Sequence, residues 1–166
     1  MSGGSHRTRR IYQMNKVYIA GPMSGIPQFN YPAFDAAAAI LRAQDYEIQS
    51  PAEMDDPNIR EAALASETGN FREFDGILER NGHQPETWGD FLSRDVKLVA
   101  DEIDAIVLLP GWEASRGARL EVFVALSVQK PVGELIDEGI DPLAPEDAMS
   151  IITTHIINQG NVERYG

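Results

Sequence analysis

Short β-prone runs, each closed by Pro or Gly, alternate with stretches of helical periodicity, and this order restricts the possible folds more than any other feature of the chain. Lys16-Val17-Tyr18-Ile19-Ala20 stops at Gly21-Pro22, and Tyr46 to Gln49 stops at Ser50-Pro51. Ile103 to Leu109, the strongest buried-strand signal, stops at Pro110-Gly111. From Pro32 to Ala43, Phe34, Ala37, Ala38 and Leu41 recur at helical spacing, with Pro32 suited to a first turn, so the opening reads as a βαβ unit. Trp88, Phe91, Leu92, Val96 and Val99 form a second helical face. A helix from about Arg116 to Gln129 and a strand from Pro131-Val132 follow. The pattern weakens over 53–89, which reads as an insertion of one or two short helices. Near the end, Gly139 and Asp141-Pro142 read as turns and Pro145 to about Asn158 as a helix. The order β-α-β-insert-α-β-α-β predicts the α/β class, a single Rossmann-like domain with a mostly parallel sheet flanked by helices. Active sites in such sheets lie at the carboxyl ends of the strands.

Composition narrows the partners. A chain of 166 residues with 43% apolar content builds one core, which is assigned to residues 16–166, and the polar, basic segment 1–15 reads as a flexible tail or an expression remnant. There is no cysteine, and His6, His83 and His155 lack the paired spacing of zinc sites, so neither a metal nor a cofactor is expected. A formal net charge of -12 opposes nucleic acid and anionic membrane surfaces as partners. No apolar run approaches the ~20 residues of a membrane span and no secretory segment opens the chain, so a cytoplasmic location is expected.

Two carboxylates interrupt apolar helical stripes. Glu121 falls among Ala118, Val122, Ala125 and Gln129, and Asp95 shares a face with Trp88, Leu92, Val96 and Val99. Helices on either side of the Ile103–Leu109 strand carry them. Buried carboxylates in a cleft have their protonation tuned by desolvation and by each other, and a pair of them flanking an anomeric carbon serves glycosidic cleavage. The same pattern also suits edge-of-face acids paired with Arg or Lys.

Two loops could hold an anion. Gly21-Pro22-Met23-Ser24-Gly25 follows the first strand and precedes the first helix. Gly111-Trp112-Glu113-Ala114-Ser115-Arg116-Gly117 follows the strongest strand, with Ser115 placed as N-cap of the helix that carries Glu121. Both also read as ordinary turn and cap chemistry. Neither is a Walker loop or a GxGxxG fingerprint.

The segments Val17 to Gly25, Ser93-Arg94-Asp95, Asp104 to Leu109, Ser115 to Glu121 and Lys130-Pro131-Val132 resemble, in order and spacing, the nucleoside 2-deoxyribosyltransferase superfamily. The Gly-Pro-Met-Ser-Gly and Leu-Pro-Gly-Trp-Glu-x-Ser-x-Gly-Ala segments look most like a bacterial and phage branch of it. The resemblance spans about Lys16 to Val132, with 53–89 as a departure. It implies that Glu121 attacks the anomeric carbon and that Asp95 orients it or handles the proton. The implied substrate-binding set is Tyr18, Gly21, Pro22, Met23, Ser24, Gly25, Trp112, Ser115, Arg116 and Gly117.

Transferases of free nucleosides usually carry Asp six residues before the catalytic Glu, where this chain has Ser115. That serine resembles the 2'-deoxynucleoside 5'-monophosphate N-glycosidases, which hold a 5'-phosphate there. A hydroxyl and helix N-terminal amides attract a phosphate that a carboxylate would repel. The resemblance therefore implies a nucleoside 5'-monophosphate N-glycosidase working through a glycosyl-glutamate intermediate, with water as acceptor. Deoxyribosyl transfer between bases and non-catalytic nucleotide binding are the alternatives. Relatives complete their sites with a polar residue from a neighbouring subunit, so a homo-oligomer is implied, with Asn158, Gln159, Asn161 and Tyr165 as candidates for that role.

Overall fold

The computed structural model describes residues 15–165, side chains being described to Gln159. The tail assignment for 1–15 thus falls outside the described residues except at Asn15, whose amide donates to Asp104 at 3.1 Å. Five strands form one sheet in the order β2-β1-β3-β4-β5, with β1 Lys16–Ala20, β2 Glu47–Gln49, β3 Ala105–Leu108, β4 Val132–Ile136 and β5 Gly139–Leu143. The first four pair in parallel and β5 pairs antiparallel with β4. The helices are α1 Tyr31–Arg42, α2 Pro51–Met54, α3 Pro57–Ala65, α4 Phe71–Arg80, α5 Trp88–Asp101, α6 Arg116–Ser127 and α7 Pro145–Tyr165. This is the α/β, Rossmann-like single domain that the alternation of strands and helices predicts.

The sheet is covered on both faces, which is why β1 and β3 read as unbroken apolar runs. Along β1 the side chains alternate: Val17 and Ile19 pack with Phe34, Leu41 and Phe74, whereas Tyr18 and Ala20 pack with Val99, Val122 and Ile152. Chain order reverses between β1 and β3, so the crevice beyond their carboxyl ends is the topological switch point of the sheet. Gly21 lets the two strand exits meet there. A Cβ on it would lie 2.8 Å from Leu109 Cβ.

The 53–89 segment holds two short helices, α3 and α4, as expected of it, and Asp56 and Asn70 each cap a start through a side-chain oxygen. Two differences from the sequence-based expectation stand out. The Gly139 to Pro142 segment is a strand: Asp137 turns with φ 54 and folds the chain back on β4, so residues with turn chemistry lie on a sheet edge. The C-terminal helix runs past Asn158 to Tyr165. Among the described residues, no helix is long and apolar enough to cross a membrane.

Candidate active site

Two helix starts position the carboxylates. Thr87 and Asp90 form a reciprocal capping box at the start of α5: Thr87 Oγ1 accepts from the Asp90 amide at 3.2 Å, and Asp90 Oδ2 accepts from the Thr87 amide at 2.9 Å. At the other end of α5, Lys130 Nζ donates to the carbonyls of Val99 and Ala100 at 2.8 and 2.9 Å. Asp95 lies on the buried face of the helix so fixed. Ser115 caps α6, its Oγ accepting from the Ala118 amide at 3.2 Å, and Glu121 lies on the buried face with Ala118, Val122 and Ala125.

Asp95 and Glu121 are each 7% exposed and line the same cavity of about 520 Å³ at the switch point. Burial raises the pKa of Glu121 well above the usual carboxylate range and Asp95 adds to the rise, while Tyr18 and Arg94 oppose it. Burial likewise raises Asp95, with Arg94 as the main opposing influence and Asp55 assisting the rise. The Tyr18 hydroxyl is wholly buried and has no hydrogen-bond partner of good geometry among the described residues, yet it is close enough to interact with both carboxylates. Its own pKa is raised, first by burial and then by Glu121 and Asp95, so it stays a proton donor.

A chain of ionic contacts backs Asp95. Arg94 Nε donates to Asp95 Oδ1 at 2.8 Å and its Nη1 to Asp55 Oδ1 at 2.6 Å, and the Tyr31 hydroxyl donates to Asp55. The Asp55 side chain is 4% exposed and comes from the end of α2, in the insertion. Arg94, Asp55 and Tyr31 all line the cavity, and none was a candidate from sequence. Arg94 had a signal, since it sits inside the Ser93-Arg94-Asp95 segment. Asp55 had none, because its partner is 39 positions away.

Of the residues expected to bind substrate, Gly21, Pro22, Met23, Ser24, Ser115, Arg116 and Gly117 line the cavity with Asp95 and Glu121. Tyr18 lies beneath it. Gly25 and Trp112 are not among the lining residues. The Gly25 amide donates to the Gly69 carbonyl at 2.9 Å, tying its loop to the insertion. Trp112, 2% exposed, packs its indole in the core beside Ala118 and Val122. Arg116 instead stacks its guanidinium 5.1 Å from the Trp88 ring at the cavity wall. Gln159 lines the cavity from its own chain, accepting from Arg119 Nη2 at 3.0 Å, while Arg119 Nη1 donates to the Glu113 carbonyl at 2.7 Å. Asn158 is exposed, and the side chains of Asn161 and Tyr165 lie outside the described residues.

The remaining wall is apolar. Phe29, Phe71 and Phe74 meet edge to face, and Met23, Ile26, Ile59, Phe91 and Leu92 extend it. The arrangement puts two buried carboxylates, a phenol and a guanidinium between an apolar wall and a helix N-terminus. A family model described as Domain of unknown function (DUF4406) matches residues 15–134, a span that includes Glu121, Asp95, Arg94, Asp55 and both loops. No curated protein matches the chain.

Proposed function

The chain belongs to the DUF4406 family, and from that premise we propose that it is an enzyme of the nucleoside 2-deoxyribosyltransferase type, hydrolysing nucleoside 5'-monophosphates to free base and sugar 5-phosphate. The observation that carries this reading is the burial of Glu121 and Asp95 together in one cavity beside the N-terminus of α6. Two neighbouring carboxylates in a desolvated site do not both ionise, so the pair holds one proton. That is the proton count the reaction needs. Glu121 as carboxylate attacks the anomeric carbon, the C–N bond breaks, and the shared proton, carried by Asp95, goes to the leaving base. The products are a glycosyl ester on Glu121, ionised Asp95 and neutral base. Water then attacks the same carbon, giving up a proton to Asp95 as the ester bond breaks and restoring the singly protonated pair. Arg94 keeps Asp95 able to ionise, and Tyr18 donates toward whichever carboxylate bears charge.

The 5'-phosphate is assigned to the start of α6. Ser115 Oγ already accepts from the Ala118 amide, which leaves its O–H free to donate outward. Arg116 and Arg119 lie close enough that Arg116, after burial, lowers the pKa of Arg119, so this end gathers two positive charges within an acidic chain. The Ser24 loop faces the same cavity.

The reading also carries a homo-oligomer. Leu120 and Phe123 on α6, and Ile156 and Ile157 on α7, are large apolar side chains left exposed on helices that touch each other.

Steady-state kcat/KM for matched nucleotides and nucleosides, with released base read by chromatography, tests the assignment. A preference for nucleotides of about tenfold or more is expected from one hydrogen bond to a charged group. Preference for the nucleoside would move the site to base exchange, and no base release from any nucleotide would end the enzymatic reading.

A further inference from the structure

The apolar wall of the cavity takes no part in the glycosidic chemistry, and the insertion supplies Ile59, Ala63, Phe71 and Phe74 to it. Ile59 and Ala63 come from α3 and Phe71 and Phe74 from α4, and Phe29 joins them with ring centroids 5.5 and 5.2 Å from the two phenylalanines. The charged insertion side chain that lines the cavity, Asp55, is already engaged by Tyr31 and Arg94.

Phe29 is held there against local preference. Gln28, Phe29 and Asn30 have φ of 58, 50 and 60°, three successive residues in the left-handed region that L side chains seldom adopt. The insertion fastens this turn: Ser66 and Leu64 carbonyls accept from the Gln28 amide at 2.8 Å and its Nε2 at 3.3 Å. Gly69 seats so closely beneath it that a Cβ would lie 2.0 Å from the Ile26 carbonyl oxygen. Strain of this kind persists where the surroundings enforce it, and it gathers at ligand clamps.

Resting on the glycosidase reading of the cavity, we infer that the insertion forms an apolar chamber for the base, and that the chain takes nucleotides whose base bears an alkyl or aryl substituent in preference to the unsubstituted parents. An unsubstituted amino or carbonyl edge would lose water against this wall and find no new partner. An apolar substituent gains burial, and an aromatic one gains edge-to-face contact with Phe29, Phe71 and Phe74. A cavity of about 520 Å³ lies within the range that encloses drug-sized ligands.

Calorimetric titration of Glu121→Gln, which binds without turning over, compares 2'-deoxyadenosine 5'-monophosphate with its N6-benzyl derivative and 2'-deoxyuridine 5'-monophosphate with its 5-benzyl derivative. In at least one pair the benzyl compound is expected to bind about tenfold or more tightly. Adding Ile59→Trp, which fills the chamber, should weaken the benzyl compound more than the parent and so erase that preference. Phe71→Ala, which opens the triad at a half-buried position, reports the same loss if the tryptophan variant does not fold. Equal or weaker binding of both benzyl compounds overturns the chamber, as does a preference that survives both substitutions. Wild-type protein incubated with the same four nucleotides separates the two readings. Preferential binding without base release keeps the chamber and removes the glycosidase, base release without preference does the reverse, and binding of none removes both.

Discussion

Glu121 gives up water to occupy its position, and that loss has a pH signature. Its folded-state pKa is raised by burial and by Asp95, so between the ordinary carboxylate range and that raised value the folded protein binds more protons than the unfolded chain. Stability is therefore full below the ordinary range and falls as pH rises through the folded pKa. Glu121→Gln removes the ionisation: the melting temperature of the variant should exceed that of the wild type at neutral pH, and the difference should shrink toward pH ~4. For a domain of this size 1 kcal/mol moves Tm by about 2–4 °C, which scanning calorimetry across pH resolves. The same variant should lose kcat by on the order of 10³-fold or more, since the amide is a poor nucleophile. Asp95→Asn should cost about 10²–10⁴-fold, as expected of proton handling. Asp55 acts one contact further out. Its charge helps raise Asp95, the group that must be protonated to serve the leaving base, so Asp55→Asn should shift the alkaline limb of the kcat/KM profile to lower pH, and an unmoved limb would reduce Asp55 to packing.

At the scale of elements, the start of α6 serves structure and recognition through one side chain. Ser115→Asp separates the two roles, because aspartate caps a helix as well as serine does but repels a phosphate. The variant should melt within about 2 °C of wild type while losing its preference for nucleotides over nucleosides, as read by paired melting curves and kcat/KM. A variant that keeps the preference would place the phosphate elsewhere. Ser115 was legible in the sequence because capping is local, and β1, β3 and α6 were legible because burial on both faces or on one helical stripe writes itself into residue spacing. Glu121 and Asp95 stood out for the same reason, as acids on apolar stripes. The edge strand β5 was not legible, since Gly139, Asp141 and Pro142 have turn chemistry and pairing with β4 is what makes them a strand. Asp55 and Phe29 were hidden for different reasons: one acts through an ion pair across the fold, the other through a backbone conformation that its residue type disfavours. The weak helical signal over 53–89 disclosed helices there but not that they wall a cavity, which depends on contacts far apart in sequence.

At the scale of the whole molecule, the exposed apolar side chains of α6 and α7 lie on the helices that also supply Glu121 and Gln159 to the cavity. Light scattering should find a dimer or larger assembly, and Phe123→Asp, which places a charge on that face, should shift it toward monomer with reduced activity. A wild-type monomer of full activity would contradict the assembly. The sheet itself offers a second copy little to hold. One edge, β2, is three residues long, and the other, β5, carries Pro142 and the exposed Asp141, devices that deny an incoming strand its row of hydrogen bonds. Strand-by-strand growth from the folded state is thereby disfavoured at both edges of the sheet, which leaves helix faces, not strand edges, as the surfaces through which copies can meet.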